Sequence, residues 1–528
     1  MRTIALTALA ACGPVEEPPR IDTTVNIELS FGSCELVAGD PSRSAECASA
    51  EVPVEYGTFD DEQLILIDLM RLRPGGASGE IAIWMIGDPA DGGDGLARVV
   101  RDMSANSDNT DFYLPDLRGA GRSSALTCGV QQASVSPGGT TITDAEWPAC
   151  LDAVEVGWSE NLPYFAVEWM ADDLDAQIRA SMDDGQRVVL YGLGGGARVV
   201  NQLLIRHPEL PIAGVVFDGP WVPNRTIDTL DAGADETIRG YLDGCARDGD
   251  CQAEVGDTPS ESLLEAFRTL GGGGCSELLG DRFADTIAAS DALRTAIYEL
   301  FLAGADRMPL IPALAARLNR CNAGDIAAIE SLLDVVAATE EARVTVGRPR
   351  SPILGVHVGL SELWPSPSPT FTTVRAQLDG TIGAPLLGLD LALQAPIWPT
   401  YEEDPGGEVF SDYPGPVLLL YGDLDPVSSL DALQAYADAY GAQATLAAIP
   451  NGGHPVIRES ATVDGGPPCG ERLLLAFAAD PAADLDTTCL GQVVLPTYVA
   501  SGQVSSMAFG TTDAFNGEGG PPTPGLFD

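Results

Sequence analysis

Short apolar runs alternate with segments of helical period along most of this chain. Runs at 64–72, 81–86, 111–114, 187–191, 214–217, 417–421 and 444–449 are strand-length and near-continuously apolar. Such runs fit a mostly parallel sheet covered by helices on both faces better than a half-exposed one. Between them, 168–182, 197–206 and 430–440 repeat apolar residues at helical spacing. The pattern predicts an α/β fold, a parallel central sheet flanked by helices. It breaks between 221 and 350, where helical periods at 261–270, 281–302, 311–318 and 325–336 come without a strand. That block reads as an inserted helical cap, a common roof for a pocket. The implied division is a leader and tether (1–20), a first core segment (21–220), the cap (221–350), a second core segment (351–500) and a Gly/Ser/Thr/Pro-rich loose tail (501–528).

Three loops that follow predicted strands carry candidate chemistry. The first is Tyr191-Gly192-Leu193-Gly194-Gly195-Gly196, between a strand and a helix. This is the context in which Gly-x-Ser-x-Gly presents a catalytic serine, but the central residue is Gly194. The second, Gly422-Asp423-Leu424-Asp425-Pro426, puts an acid after a strand, and the third ends in Gly453-His454. Turn, acid and histidine follow in the order of a triad whose acid orients an imidazole that activates a serine. His454 is the base this order selects over His207 and His357. Asp425 is favoured as the acid over Asp423, which reads as a turn residue.

On these residues the chain resembles the secreted proline iminopeptidase and tripeptidyl aminopeptidase-like α/β-hydrolases. Cys34…Cys47 with Val52-Pro53-Val54-Glu55-Tyr56 looks like that family's amino-terminal disulfide and entry. Asp116-Leu117-Arg118-Gly119-Ala120-Gly121-Arg122-Ser123 matches its Asp-x-Arg-Gly-x-Gly-x-Ser loop. Tyr191–Gly196 aligns with Tyr-Gly-x-Ser-Tyr-Gly, and Asp425-Pro426 and Gly453-His454 with the acid and histidine segments. Cys469…Cys489 resembles the closing disulfide. The resemblance covers about 28–495 apart from the cap. It implies an α/β-hydrolase fold with an inserted helical cap, peptide or small ester and amide ligands, and acidic cap residues holding a substrate amino group. Asp281, Asp285 and Glu299 are candidates for that role.

Two departures from the family pattern fall on the same chemical step. Gly194 stands where the nucleophile should be, and the oxyanion loop, Gly-Gly-Pro-Gly in the family, is Gly87-Asp88-Pro89-Ala90. The oxyanion region is thus Gly87, Asp88 and Gly195, with a carboxylate brought towards a developing negative charge. Glycine at the strained turn relieves a backbone cost of about 1–3 kcal/mol, so the fold tolerates the loss.

Composition narrows the partners. With 77 acidic against 28 basic residues the net charge is −49, and every basic residue is arginine. Such a surface repels phosphate backbones, which excludes nucleic acid. Arg2, the apolar run 4–9 and Leu9-Ala10-Ala11-Cys12 form a short export signal with a lipoprotein cleavage box. The expectation is a bacterial envelope lipoprotein or secreted protein, touching a membrane only through lipidated Cys12. The other ten cysteines fall into neighbouring pairs: Cys34 with Cys47, Cys128 with Cys150, Cys245 with Cys251, Cys275 with Cys321 and Cys469 with Cys489. Five disulfides in an oxidising compartment fit them, because no pair has zinc-site spacing. No metal or organic cofactor is implied, and Gly271–Gly274 reads as a bare loop. Two functional readings are carried forward. One is a hydrolase-fold protein that binds a ligand without nucleophilic catalysis. The other is a hydrolase whose Asp425–His454 pair activates water in the space the serine would fill, which requires that neither Leu193 nor Asp88 plug it. A purely structural surface protein ranks below both.

Overall fold

The computed structural model describes residues 25–527 except 38–39, 58–62, 134, 138–141, 224, 271–274, 276–281, 284 and 346–350. The expectations for Cys12, for Gly271–Gly274 and for Asp281 lie outside the described residues. Nine strands form one sheet: β1 (Gly32–Val37), β2 (Asp40–Pro53), β3 (Leu64–Leu72), β4 (Ile81–Ile86), β5 (Thr110–Asp116), β6 (Arg187–Leu193), β7 (Ile212–Asp218), β8 (Val417–Gly422) and β9 (Ala444–Ile449). The order is β1-β2-β3-β5-β4-β6-β7-β8-β9. β1, β2, β3 and β5 pair antiparallel in turn, and every later pairing is parallel. The mostly parallel sheet is flanked by α1 (Asp94–Met103), α2 (Trp147–Trp158), α3 (Val167–Ser181) and α4 (Gly196–Arg206). This is the α/β-hydrolase fold. Every residue of β4 and β5 is buried, which is why their sequences run apolar rather than alternating.

All seven predicted strands form. The two that the pattern does not announce are β1 and β2. Strand β2 reads Asp-Pro-Ser-Arg-Ser-Ala-Glu-Cys-Ala-Ser-Ala-Glu-Val-Pro, and its inward positions are mostly alanine, too weakly apolar to register.

The neighbouring cysteines are bonded as their spacing suggested. Cys34 and Cys47 tie β1 to β2, and Cys128 is joined to Cys150 at the start of α2. Cys245 bonds Cys251, Cys275 bonds Cys321, and Cys469 bonds Cys489. Five disulfides fit an extracellular protein. No helix among the described residues is long and apolar enough to cross a membrane.

After β7 the chain enters the helices α5 (Leu230–Cys245), α6 (Gly249–Val255), α7 (Pro259–Thr269), α8 (Thr286–Leu302), α9 (Leu310–Arg320) and α10 (Ala323–Thr345). They bury a core of their own around Leu263, Leu293, Ile297, Leu300 and Leu314. The buried Cys251 staples α6 to the end of α5, and Cys321, just past α9, anchors that helix to Cys275. Two boundaries of the expected division shift. The sheet does not resume at 351. Helices α11 (Pro352–Glu362), α12 (Phe371–Leu378) and α13 (Leu387–Gln394) come first, and α11 packs Ile353, Leu354 and Val358 into the cluster that also holds Trp84 and Leu190 of the sheet. The sheet returns only at Val417, followed by α14 (Leu430–Tyr440) and α15 (Cys469–Ala479).

Nor is 501–528 a loose tail. It forms α16 (Gly502–Phe509), whose Ala508 and Phe509 are fully buried with the cap core, as are Phe515 and Leu526 nearby. The buried Arg317 guanidinium donates to the carbonyls of Asp513, Ala514 and Gly517 and so ties this segment to α9. A handful of well-placed apolar residues outweighs the glycine- and proline-rich composition.

The Asp116–Ser123 loop is held from within. Arg118 is completely buried and grips both oxygens of Asp173 on α3, each at 2.7 Å. It also donates to the carbonyls of Val54 and Tyr164, while Tyr56 donates to Asp173 at 2.7 Å. This network joins the end of β2, the loop after β5 and α3, and it explains the matching segments around Tyr56 and Arg118 structurally.

Candidate functional site

The parallel strands deliver their loops to one edge of the sheet. β4 and β6 pair with Ile86 opposite Gly192, so Gly87-Asp88 and Gly194-Gly195 emerge side by side. Strand order reverses between β5, β4 and β6, the place where ligands bind in open α/β sheets. β7 contributes Asp218-Gly219, and the loops after β8 and β9 contribute Asp425 and His454.

Gly194 has φ +51°, in the left-handed region where an L side chain is strained. Its N–H donates to the Asp218 carbonyl at 3.1 Å, and its own carbonyl accepts from Trp221 at 3.0 Å. A Cβ built on Gly194 would meet only His454, at 3.7 Å from Cε1 and 3.8 Å from Nε2. The turn therefore aims position 194 at the imidazole and leaves room there for a small group. Leu193 does not fill that room, because it packs against the apolar cluster on one face of the sheet.

His454 Nδ1 lies 3.0 Å from Oδ2 of Asp425, whose carboxylate is fully buried. The other oxygen of Asp425 accepts from the N–H groups of Val427 (2.7 Å) and Ser428 (3.1 Å). With Nδ1–H given to Asp425, Nε2 is the nitrogen that faces Gly194. Asp423, the competing acid, instead accepts from the Asn451 N–H in the loop after β9. Gly219, at φ +50°, completes the fit: a Cβ there would collide with Asp425 Oδ2 and stand 2.8 Å from His454 Nδ1. Only glycine leaves space for this pair.

Asp88 occupies the remaining side. Its Oδ1 accepts from the Ala90 N–H at 3.1 Å, and its Oδ2 stands 2.6 Å from where a Cβ of Gly195 would be. Gly195 has an ordinary helical backbone (φ −63°, ψ −27°) and is the N-cap of α4. Its lack of a side chain is thus a matter of space, which the Asp88 carboxylate takes. A helix N-terminus attracts an anion, and here the protein's own carboxylate is beside it.

Burial opposes protonation of His454, but Asp425 first, then Asp218 and Asp88, outweigh it and raise its pKa above the ordinary histidine value. Asp218 was invisible as a site residue in the sequence. It is fully buried and accepts from Tyr191 Oη at 2.8 Å and from the N–H groups of Val456 and Ile457 at 3.2 Å. Burial pushes its pKa up to about 6. The only available signal was an acid closing an apolar strand run. The carboxylates that act on His454 are these three. Asp285 instead caps α8 through the Ala288 N–H. His357 is excluded as a base, since Nε2 bonds the Leu162 carbonyl and Nδ1 accepts from Trp398, and burial lowers its pKa to about 4. It borders a separate cavity of about 310 Å³ with Leu162 and Pro399.

These shifts set a pH dependence of stability. Burial holds Asp116 and Asp218 up at about 6 and Glu168 and Glu403 at about 7. Between about pH 4, where unfolded carboxylates ionise, and pH 7, the folded state retains protons the unfolded state has lost. Stability therefore falls as pH rises through that window. Raised His454 acts in the same direction, contributing most below about pH 6.5. Thermal unfolding should occur about 5 °C higher at pH 5 than at pH 8. A midpoint that climbs from pH 5 to pH 8 would refute this assignment.

No protein-family model matches the chain, and no curated protein matches it. Among solved structures, a serine hydrolase from Cycloclasticus zankles is 12% identical with a TM-score of 0.30, covering 78% of this chain and 93% of that one. A proline iminopeptidase from Mycobacterium smegmatis is 12% identical with a TM-score of 0.31, covering 77% and 91%. An esterase from Exiguobacterium antarcticum is 12% identical with a TM-score of 0.30, covering 74% and 89%. The sheet order and its parallel connections are those of the α/β-hydrolase fold.

Proposed function

We propose that this protein binds a peptide or a small ester or amide at the Gly194–His454 edge of the sheet and forms no acyl-enzyme there. It acts outside the cytoplasm, exported and anchored through Cys12. The observation that carries this reading is the Asp88 carboxylate packed against Gly195 at the N-terminus of α4. Acyl transfer needs a nucleophile at 194 and neutral or positive donors for the oxyanion. Here the first is glycine and the second region holds a negative charge. The aimed, paired imidazole then serves as a hydrogen-bond donor to a ligand rather than as a base, in keeping with its raised pKa.

The second reading keeps hydrolysis. His454 is hydrogen-bonded to Asp425, and the space beside Gly194 is open, the two conditions a water-activating pair requires. Asp88 weighs against it, since water attack on a carbonyl also builds an oxyanion.

The binding reading is tested by following the His454 ring resonances while titrating a panel of non-hydrolysable peptide amides and ester analogues. Saturable shifts that vanish in Gly219→Ala, which crowds the dyad, are expected. A panel that leaves His454 unmoved while shifting resonances elsewhere would place the ligand site elsewhere.

A further inference from the structure

The far end of α4 carries a second constellation, at the opposite end of the helix from Gly194 and Gly195. His207, the residue that ends α4, is buried, with only 4% of its side chain exposed. Its Nε2 lies 2.7 Å from Oδ1 of Asp172, itself fully buried and also gripped by Arg206. Its Nδ1 faces two more carboxylates, Asp175 Oδ1 at 3.6 Å and Glu209 Oε1 at 3.8 Å. Among the described residues, Asp175, His207 and Glu209 are the group whose donor atoms all lie within 4.8 Å of one another.

We propose that Asp175, His207 and Glu209 bind a divalent transition-metal ion, with zinc as the ion this donor set fits. Asp172 takes the Nε2 proton, so Nδ1 presents a lone pair to two oxygens that are themselves acceptors. Arg179 donates to each of these oxygens, and a cation at Nδ1 would complete the set. If it were a proton, Nδ1–H would draw a carboxylate to about 2.7–2.9 Å, as Nε2–H has drawn Asp172. Neither oxygen is that close. Zinc bonds nitrogen and carboxylate oxygen at about 2.0–2.2 Å, which spaces tetrahedral ligands roughly 3.4 Å apart. The two separations to Nδ1, 3.6 and 3.8 Å, need to contract by only a few tenths of an ångström, and the two carboxylate oxygens lie within 4.8 Å of each other.

The surroundings support the same reading. A carboxylate on the far nitrogen is the usual outer partner of a metal-bound histidine, fixing its tautomer and ring plane. Arg179 braces both outer ligands, bonding Asp175 through Nε at 2.8 and 2.9 Å and also contacting Glu209. A carboxylate has lone pairs enough for an arginine and a metal together. The site also lies at the C-terminal end of α4, where the helix dipole favours a cation. The ion would tie α3 to the end of α4, behind the turn that presents Gly194.

The test is zinc binding by the full-length protein in millimolar magnesium, which occupies the many weak acidic sites of a −49 chain. One tight equivalent of Zn²⁺ is expected, with a rise in the thermal unfolding midpoint. His207→Ala should abolish both. Because His207 is buried and its loss could harm folding, Glu209→Gln is the deciding variant: Glu209 is half exposed, and its substitution should weaken zinc at least 10-fold in a folded protein. Zinc binding equal in wild type and Glu209→Gln, or absent from wild type, overturns the proposal.

Discussion

Gly194→Ser alone is expected to leave the protein almost inert towards acyl substrates, whereas Gly194→Ser with Asp88→Gly is expected to gain measurable hydrolysis. A serine at 194 fits: the nearest atoms to its Cβ would be those of the His454 ring at 3.7 and 3.8 Å. Its Oγ, one bond further out, comes within reach of Nε2, and Asp425 already holds the ring from behind. What the single variant lacks is a place for the oxyanion. Loss of one oxyanion donor costs about 10²–10³ in rate, and a fixed carboxylate in that region is at least as unfavourable. The double variant should therefore exceed the single one by about 10²-fold or more. The reporter panel is aminoacyl and tripeptidyl amides with short-chain esters. Equal rates for the two variants would show that Asp88 is not the second obstacle. The serine should cost about 1–3 kcal/mol of stability, because φ at 194 is +51°.

The second large effect concerns the fold. Asp173→Ala should destabilise the protein by about 3–5 kcal/mol, since it strands the fully buried Arg118 without its counter-charge. That is a large share of the roughly 5–15 kcal/mol that holds a domain folded. Tyr56→Phe removes only a neutral hydroxyl from the same carboxylate and should cost about 1 kcal/mol. Denaturant unfolding with the disulfides intact reads both. Similar losses for the two variants would mean that Arg118 finds another partner and that the network is not what joins β2, α3 and the Asp116–Ser123 loop.

Much of this site was legible in the sequence because each element is local. A strand run ending in a glycine turn, an acid or a histidine is visible within ten residues, and the parallel sheet then brings the loops together without further instruction. Asp425 could be preferred to Asp423 before the geometry paired Asp425 with His454 and gave Asp423 the Asn451 N–H. The disulfides were legible for the same reason, since each cysteine bonds its neighbour along the chain. Other features depend on packing across distant segments. Asp218 looks like any acid after a strand until Tyr191 and the Val456–Ile457 amides close on it. The reason for Gly195 is the carboxylate of Asp88, over a hundred residues earlier. The Asp175–His207–Glu209 group has no zinc-type spacing, because α3 supplies one ligand and the end of α4 the others. Composition misled where a few residues decided the outcome. β2 is weakly apolar yet pairs on both sides, and the 501–528 segment docks through Phe509, Phe515 and Leu526 despite its glycines and prolines.

A paired imidazole faces a position without a nucleophile, so the native protein is expected to bind without turning over. The most direct test is hydrolysis of the same reporter panel by wild type and His454→Ala at matched concentration. Wild type should show no turnover above the His454→Ala variant. Wild-type turnover that disappears in His454→Ala would contradict it and establish a hydrolase that works through an activated water.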